Sequence, residues 1–573
     1  MKKRILFILC LFISPGLFAQ ADFRMIIESA LEKGEKNINI PMGTYTLMSE
    51  DYESVTLKDL KDISIDANGS TIICKKTSRA FDLINCENVR LSNFTIDYDP
   101  LPFTQGRIIE MDEGKNWWIV EIFEGYPTEG ITLTMNRMNI YDPETNLYKE
   151  NMKTFARGDF KPEIEYLGES KIKLYKSDSD PGNLQYRKGH NEEVGDLFLM
   201  LVREENCRSH AIVLENSKWC KLDNVTIYTA PMFGIVEHEC EANHYYQCVI
   251  TKNLHDPKVG YVRLRSAGGD AFHSKTAYKG PIVEECTFEY QGDDCINIGT
   301  RFHIVLRSED SSVYILSTSK STYIEPGNRL QVISSEGQLK GETVVESIEP
   351  VSGFSDQELN KATDMFRLRK VPRFVIRLDL EESIPFSTGD LVCSLDKAGD
   401  GFILKNNKFG YTRARGALLK GTGGRVIGNT FEGMMLAGIT VIPEFYWMEG
   451  TFARDLVISG NTFRNCHYGV SVPGSSQCAA ITVLCINAEN EIIGAKGGGF
   501  RDIRIVNNKI EDCPFPAIVL AGIEGGELRG NIIKKSPELI RNHGANYGFS
   551  NQDAISTMYL KDFTIENNSV KIK

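Results

Sequence analysis

"LKNNKF", residues 404–409, and "VIGNTF", residues 426–431, decide the fold when set one above the other. Each reads apolar, any residue, small or Asn, any residue, Thr or Lys, apolar. The pattern returns in "LSNFTI" ending at Ile96, "LDNVTI" at Ile227, "VEECTF" at Phe288 and "ISGNTF" at Phe463. It returns again in "IVNNKI" at Ile510, "LRGNII" at Ile533 and "IENNSV" at Val570. The shortest spacings are 22 residues, Phe409 to Phe431, and 23 residues, Ile510 to Ile533. That period is too short for a helical hairpin and fits one coil of a parallel β-helix, with two or three short strands per turn. Asparagine tolerates left-handed backbone at bends, and asparagines stacked from coil to coil can hydrogen-bond to one another. A β-sandwich with Asn-rich turns has no reason to keep one fixed hexapeptide. The expected class is all-β, a right-handed parallel β-helix.

Outward from the repeat, two long gaps interrupt it. Residues 103–200 and 301–396 contain strand-like runs such as "NWWIVEIF" and "FVIRLDL", too rich in aromatic and β-branched residues for linkers. Each gap closes on a similar phrase, "GDLFLML" at 195–201 and "GDLVCSL" at 389–395. They read as two related, small barrel-like β-modules inserted at coil edges. The remaining chain then divides into a cap and first coils at 20–102, central coils at 201–300 and C-terminal coils at 397–573. "FRMIIESALEKG", residues 23–34, is amphipathic and reads as a short helix closing the open end of the solenoid.

Residues 1–19 have a basic start (Lys2, Lys3, Arg4), an apolar run to Phe18 and a small residue at the expected cut, as a secretory signal does. Export to the periplasm or beyond is expected. A lipoprotein reading would need Cys10, with too little apolar chain before it. No other run is apolar enough to span a bilayer. The net charge of −12, with no basic run, argues against nucleic acid or anionic membrane as a partner. The cysteines, Cys86, Cys220, Cys286, Cys295, Cys466 and Cys513 among them, sit in or beside strand-like runs and read mostly as small buried hydrophobes.

One bend carries an anomaly. "QGDDCINIG", residues 291–299, follows Phe288 and places Asp293 and Asp294 side by side where a strand should begin. One period earlier stands "GGDAFHS", residues 268–274, with Asp270 23 residues before Asp293 and 24 before Asp294. Stacked coils lie about 4.8 Å apart, so three carboxylates should converge on one patch. Crowded carboxylates raise at least one pKa, leaving one group protonated and another ionised near neutral pH. Hydrolysis of a glycosidic bond needs that pair: one acid for the leaving oxygen, one base for water. Two plainer readings stand beside it: an Asp-capped turn and a calcium site. The third aspartate one period away, with glycines flanking both motifs, favours catalysis.

At these residues the chain resembles the polygalacturonase-type right-handed β-helix glycosidases. It resembles more closely the bacterial exo-α-1,3-galactosidases that remove terminal galactose from blood-group-B-type glycans. That resemblance spans nearly all of the mature chain, including "GGDAFHS", "YQGDDCINIGT" and the two insertions. It implies an inverting hydrolase without metal or cofactor, acting on an oligosaccharide or glycoconjugate with terminal α-galactose, with Asp270, Asp293 and Asp294 as the catalytic carboxylates. The Gly-His-Gly and Arg-Ile-Lys motifs by which polygalacturonases handle a uronate are missing, which favours a neutral sugar. A polygalacturonase-like enzyme on another polysaccharide and a non-catalytic carbohydrate-binding β-helix remain the alternatives.

Softer candidates for substrate contact surround the acids. His273 follows Asp270 by three residues. Arg263 and Arg265 alternate in "YVRLRS" and would share one face of a strand. In "PEFYWMEG", residues 443–450, Trp447 is a candidate to stack on galactose and Glu444 to bind hydroxyls, against core packing for the tryptophan. "VEHE", Val236 to Glu239, resembles a metal-ligand cluster but lacks further partners at a recognisable spacing.

Overall fold

The computed structural model describes residues 22–47, 54–75, 79–129, 131, 138–150, 152, 160–176, 191–202, 209–319, 321–366, 373–469, 479–486, 499–535, 549 and 552–572. The expected signal segment 1–19, with Cys10, lies outside them. Parallel strands pair coil on coil from Asn37–Asn39 to Ser569–Ile572. The coils feed three ladders, so the chain is a right-handed parallel β-helix with three faces. The hexapeptide forms one face: Ile96 pairs with Ile227, Phe288 with Phe409, Phe409 with Phe431, Phe431 with Phe463, and Ile510 with Ile533.

The three-dimensional structure explains each conserved slot of the repeat. The third slot turns the corner with positive φ: Asn93 (59°), Asn224 (54°), Asn406 (56°), Gly428 (68°) and Asn507 (57°). Asparagine and glycine are the residues that adopt this backbone at low cost. The fourth slot is a buried ladder. Asn407 donates its backbone N–H and side-chain amide to Asn429 Oδ1, both at 2.9 Å. Asn429 does the same to Asn461, Asn461 to Asn508 and Asn508 to Asn531, at 2.8–3.0 Å. The sixth slot fills the core, where the rings of Phe409, Phe431 and Phe463 follow one another at 5.1 and 4.9 Å. Burying each ring contributes about 1.5–3 kcal/mol. "YYQCVI", residues 245–250, is a further copy whose letters depart from the pattern. Gln247 turns its corner at φ 51° and Ile250 pairs with Phe288.

The N-terminal helix spans Phe23–Glu32, its first turn capped by Asp22, which accepts from Arg24 N at 2.9 Å. Phe23, Ile27 and Ala30 are buried at helical spacing, and Phe23 meets Tyr45 and Phe81 edge-on. A second helix, Asp356–Asp364, lies in the second insert and opens on a Ser355/Glu358 capping box. "SDQE", residues 355–358, carries that signal in the sequence.

The two inserts differ in closure. The first is an antiparallel sheet ordered Phe160–Gly168, Lys171–Lys176, Trp117–Ile122, Phe103–Met111, Leu197–Leu201, Met138–Tyr141, open among the described residues. The second is a closed six-stranded barrel from His303–Glu309 to Leu391–Ser394. Their shared phrase is a shared turn. Asp196 accepts from Glu193 N and pairs with Lys149, both at 2.8 Å. Asp390 accepts from Ser387 N at 2.7 Å and pairs with Lys340 at 2.6 Å.

The inserts stand at opposite margins of the face that holds Ile235–His238, Phe272–Lys275, Ile296–Arg301 and Ala417–Leu419. The first insert packs on the bends leading into this face, with Tyr148 OH donating to Gln291 O at 3.2 Å. The second grows out of the far strand ends, with Lys397 bridging Glu239 and Glu325 at 2.9 Å each. The eleven cysteines among the described residues are buried and unbridged. No helix among those residues is long and apolar enough to cross a membrane.

Candidate active site

Register on this face aligns Ile235, Phe272, Ile296, Ala417 and Ile439 on successive coils. Two residues before each, on the bend, stand Phe233, Asp270, Asp294, Arg415 and Ala437. Asp270 and Asp294 therefore occupy adjacent rungs of one column, and Arg415 the next. The rungs are tied by Ala271 N to Asp294 O at 3.0 Å and Cys295 N to Arg415 O at 2.9 Å. Asp293 sits one residue earlier on the same bend. One carboxylate oxygen from each aspartate lies within 4.8 Å of the others.

Each acid is held differently. Asp270 is buried; it accepts from Asp294 N at 3.3 Å and faces His273 Nδ1 at 2.8 Å. Asp293 is half-buried and pairs with Arg413 Nη2 at 2.7 Å. Asp294 is buried and accepts from the Arg415 backbone N at 3.0 Å and its Nε at 2.8 Å. Burial pushes the Asp294 pKa up to about 7, and the charges of Asp293 and Asp270 add to the rise against the opposing Arg415. Arg415 also binds Glu444 Oε1 at 2.7 Å.

His273 stacks on Phe233 at 5.3 Å, and Phe233 on His210 at 4.9 Å, a column of rings leading to Asp270. Burial and the nearby Lys275 push the His273 pKa down to about 3, so the imidazole is neutral. Neutral and 2.8 Å from an Asp270 oxygen, its Nδ1 can donate there, which leaves Nε2 as an acceptor. Beyond Asn297, Glu449 is gripped by Lys275 at 2.8 Å and Lys420 at 3.0 Å, and Lys420 also reaches Asn297 Oδ1 at 3.0 Å. These lysines drive the Glu449 pKa well below the ordinary value against the effect of burial.

The glycines flanking the acids serve the protein's own packing rather than substrate approach. A Cβ on Gly269 would fall 2.4 Å from the Phe233 ring, and one on Gly292 2.6 Å from Gly268 O. "YVRLRS" is irregular loop, not strand. Arg263 is buried in a fork on Asp97, at 2.7 and 2.9 Å, with Asp256 beside it. Arg265 is buried under Gly292, against Asn139 and Tyr148 of the first insert. Neither arginine reaches the open face, because each is enclosed by the loop and the insert. Trp447 is 51% exposed, which excludes core packing. Glu237 points into the solenoid, held by Ser274 at 2.6 Å and Tyr245 at 2.7 Å. Glu239 binds Lys397, so "VEHE" shares no coordination point. Arg415 and Lys420 stand out in the sequence only as downstream basic residues, because the second insert separates them and Glu449 from the acids in the chain; Asn297 and Lys275 lie on the coils of the acids themselves, three and five residues after Asp294 and Asp270.

Three clustered carboxylates also suit a cation, but Arg413 and Arg415 already supply positive charge to two of them. The arrangement sets a carboxyl whose pKa burial raises to about 7 beside two more carboxyl groups. Oxygens 4.8 Å apart or less can share one water by hydrogen bonds of ordinary length.

No family model matches the chain. Alpha-1,3-galactosidase B of Bacteroides thetaiotaomicron is 25% identical over 590 residues, covering 97% of this chain and 86% of that protein. Alpha-1,3-galactosidase A of the same organism is 26% identical over 498 residues, covering 83% and 78%. Among solved structures, the A-module of an Azotobacter vinelandii mannuronan C-5 epimerase aligns over 96% of this chain and 95% of its own, at 9% identity and a TM-score of 0.40. The chain is a sequence relative of the bacterial α-1,3-galactosidases and stands among the glycoside hydrolases.

Proposed function

We infer that the enzyme removes terminal α-1,3-linked galactose from glycans, with Asp270, Asp293 and Asp294 as the catalytic group. The observation that carries the reading is the column of Asp270 and Asp294 on adjacent rungs with Asp293 beside them, their oxygens within 4.8 Å. The cluster gives one proton to the glycosidic oxygen as the bond to the anomeric carbon breaks. It takes one proton from the water whose oxygen attacks that carbon from the opposite side. The products are galactose of inverted configuration and the acceptor alcohol, and the cluster regains its starting proton count. His273 orients Asp270, and Arg415 fixes Asp294.

A neutral sugar is supported by the ion pairs around the acids. Arg413, Arg415, Lys275 and Lys420 each hold a carboxylate of the protein itself. Arg301, at the end of the Ile296–Arg301 strand, forms no ion pair among the described residues, and this favours testing a second reading, a uronate polymer. The experiment is release of free galactose from a Gal-α1,3-Gal trisaccharide beside polygalacturonate, with the anomer of the first product read by NMR. Release of β-galactose is expected. Cleavage of polygalacturonate alone would overturn the reading.

A further inference from the structure

Glu444 and Glu449 close a hairpin, exchanging backbone hydrogen bonds of 2.6 Å and 3.0 Å. Within it, Phe445 and Met448 point inward and are buried, Phe445 against Phe302 at 5.9 Å. Tyr446 and Trp447 point outward, 64% and 51% exposed, their rings edge-to-face at 4.9 Å. Two adjacent large rings left in water on a segment tied down at both ends form a ready-made apolar patch.

Both stems of the hairpin end in the site. Glu444 binds Arg415, which holds Asp294; Glu449 is gripped by Lys275 and Lys420. The rings therefore have little freedom to lose on binding. Trp447 lies three residues past Glu444, at most about 11 Å of chain, so the rings stand at the lip of the site.

We propose that Tyr446 and Trp447 are the platform for the sugar joined to the galactose, the leaving-group side of the bond. A pyranose offers an apolar C–H face that lies flat on the electron-rich face of an aromatic ring. The proposal rests on the galactosidase reading and deepens it: the substrate class is an oligosaccharide of two or more sugars. It also moves Trp447 one sugar outward from the galactose contact expected from sequence.

The test compares kcat/KM on a Gal-α1,3-Gal trisaccharide with kcat/KM on α-galactosyl fluoride, whose leaving group has no ring. Trp447→Ala should lose about tenfold more on the trisaccharide than on the fluoride, mostly in KM, and Tyr446→Ala about threefold more, with Trp447→Phe recovering part of the loss. Equal losses on both substrates would assign the hairpin to supporting the acids and overturn the platform. Wild-type kinetics in both alanine variants would also overturn it. A wild-type enzyme inactive on both substrates would instead remove the galactosidase reading itself, a distinguishable result.

Discussion

The coils after residue 403 and those between residues 235 and 301 follow one register but fill it differently. In the later coils the fourth slot of the hexapeptide is an unbroken asparagine ladder, and the bend column ahead of the next face continues from Ala437. In the central coils the fourth slot holds Cys248 and Cys286, and the same bend column holds Asp270 and Asp294, with Arg415 at the first bend of the later coils. Two positions of one scaffold therefore differ in content: the fourth slot of the hexapeptide holds the amide ladder in the later coils, and the bend column holds the clustered acids in the central ones. Every buried ladder amide finds a neutral partner one coil away, which stabilises the stack. The acid column instead sets like charges together, which disfavours the fold and makes proton transfer possible.

The largest expected break in this comparison is kinetic. Asp294→Asn and Asp270→Asn should each lower kcat by about 10³-fold or more while both variants stay folded. A variant with near-normal turnover would place the chemistry elsewhere. The acid among Asp270, Asp293 and Asp294 can be recognised by its Asn variant, which should retain α-galactosyl fluoride hydrolysis because fluoride leaves without a proton.

The ladder should behave in the opposite way. Asn461→Ala removes the acceptor for the Asn429 N–H and side-chain amide and leaves buried donors unpaired. A loss of about 1–3 kcal/mol in unfolding free energy is expected, with kcat within twofold of wild type. A fall in activity at full stability would break the division between the two halves.

The pH dependence sharpens it further. Asp294 titrates near 7 in the folded chain and near 3.8 when free, so its pKa is raised by folding. Its contribution to stability is present below pH 3.8 and is lost as pH rises through 7. Activity that needs the shared proton falls over the upper part of that window. kcat/KM should drop above pH 7, and Asp294→Asn should gain in relative midpoint between pH 5 and pH 8. A flat profile from pH 6 to pH 9 would contradict the shared proton. The smallest effect expected is at the cap: Asp22→Ala should cost about 0.5–2 kcal/mol in the N-terminal helix and leave kinetics unchanged.

How much was legible follows the same division. The repeat was readable because the corner demands Asn or Gly and the core slot demands a large apolar residue, so physics repeats the same letters. "YYQCVI" escaped because Gln247 at the corner and Val249 in the fifth slot both depart from the usual letters, whereas "VEECTF" keeps Thr287 and Phe288 although Glu285 turns its corner. The acid triad was readable because only one coil separates Asp270 from Asp294. Arg415 was not, because the closed barrel intervenes between it and Asp294 in the chain while leaving them one rung apart in space. Arg263 and Arg265 misled because alternation implies a shared face only in a strand, and that segment is loop. Trp447 was ambiguous because a hairpin that alternates inward and outward residues has no period to read.

The most direct test of the central claim is galactose release from a Gal-α1,3-Gal trisaccharide by the wild-type enzyme and its Asp270→Asn, Asp293→Asn and Asp294→Asn variants, each checked for folding. The account predicts turnover by the wild type and a collapse of about 10³-fold in every folded variant. Undiminished release by any one of the three would contradict it.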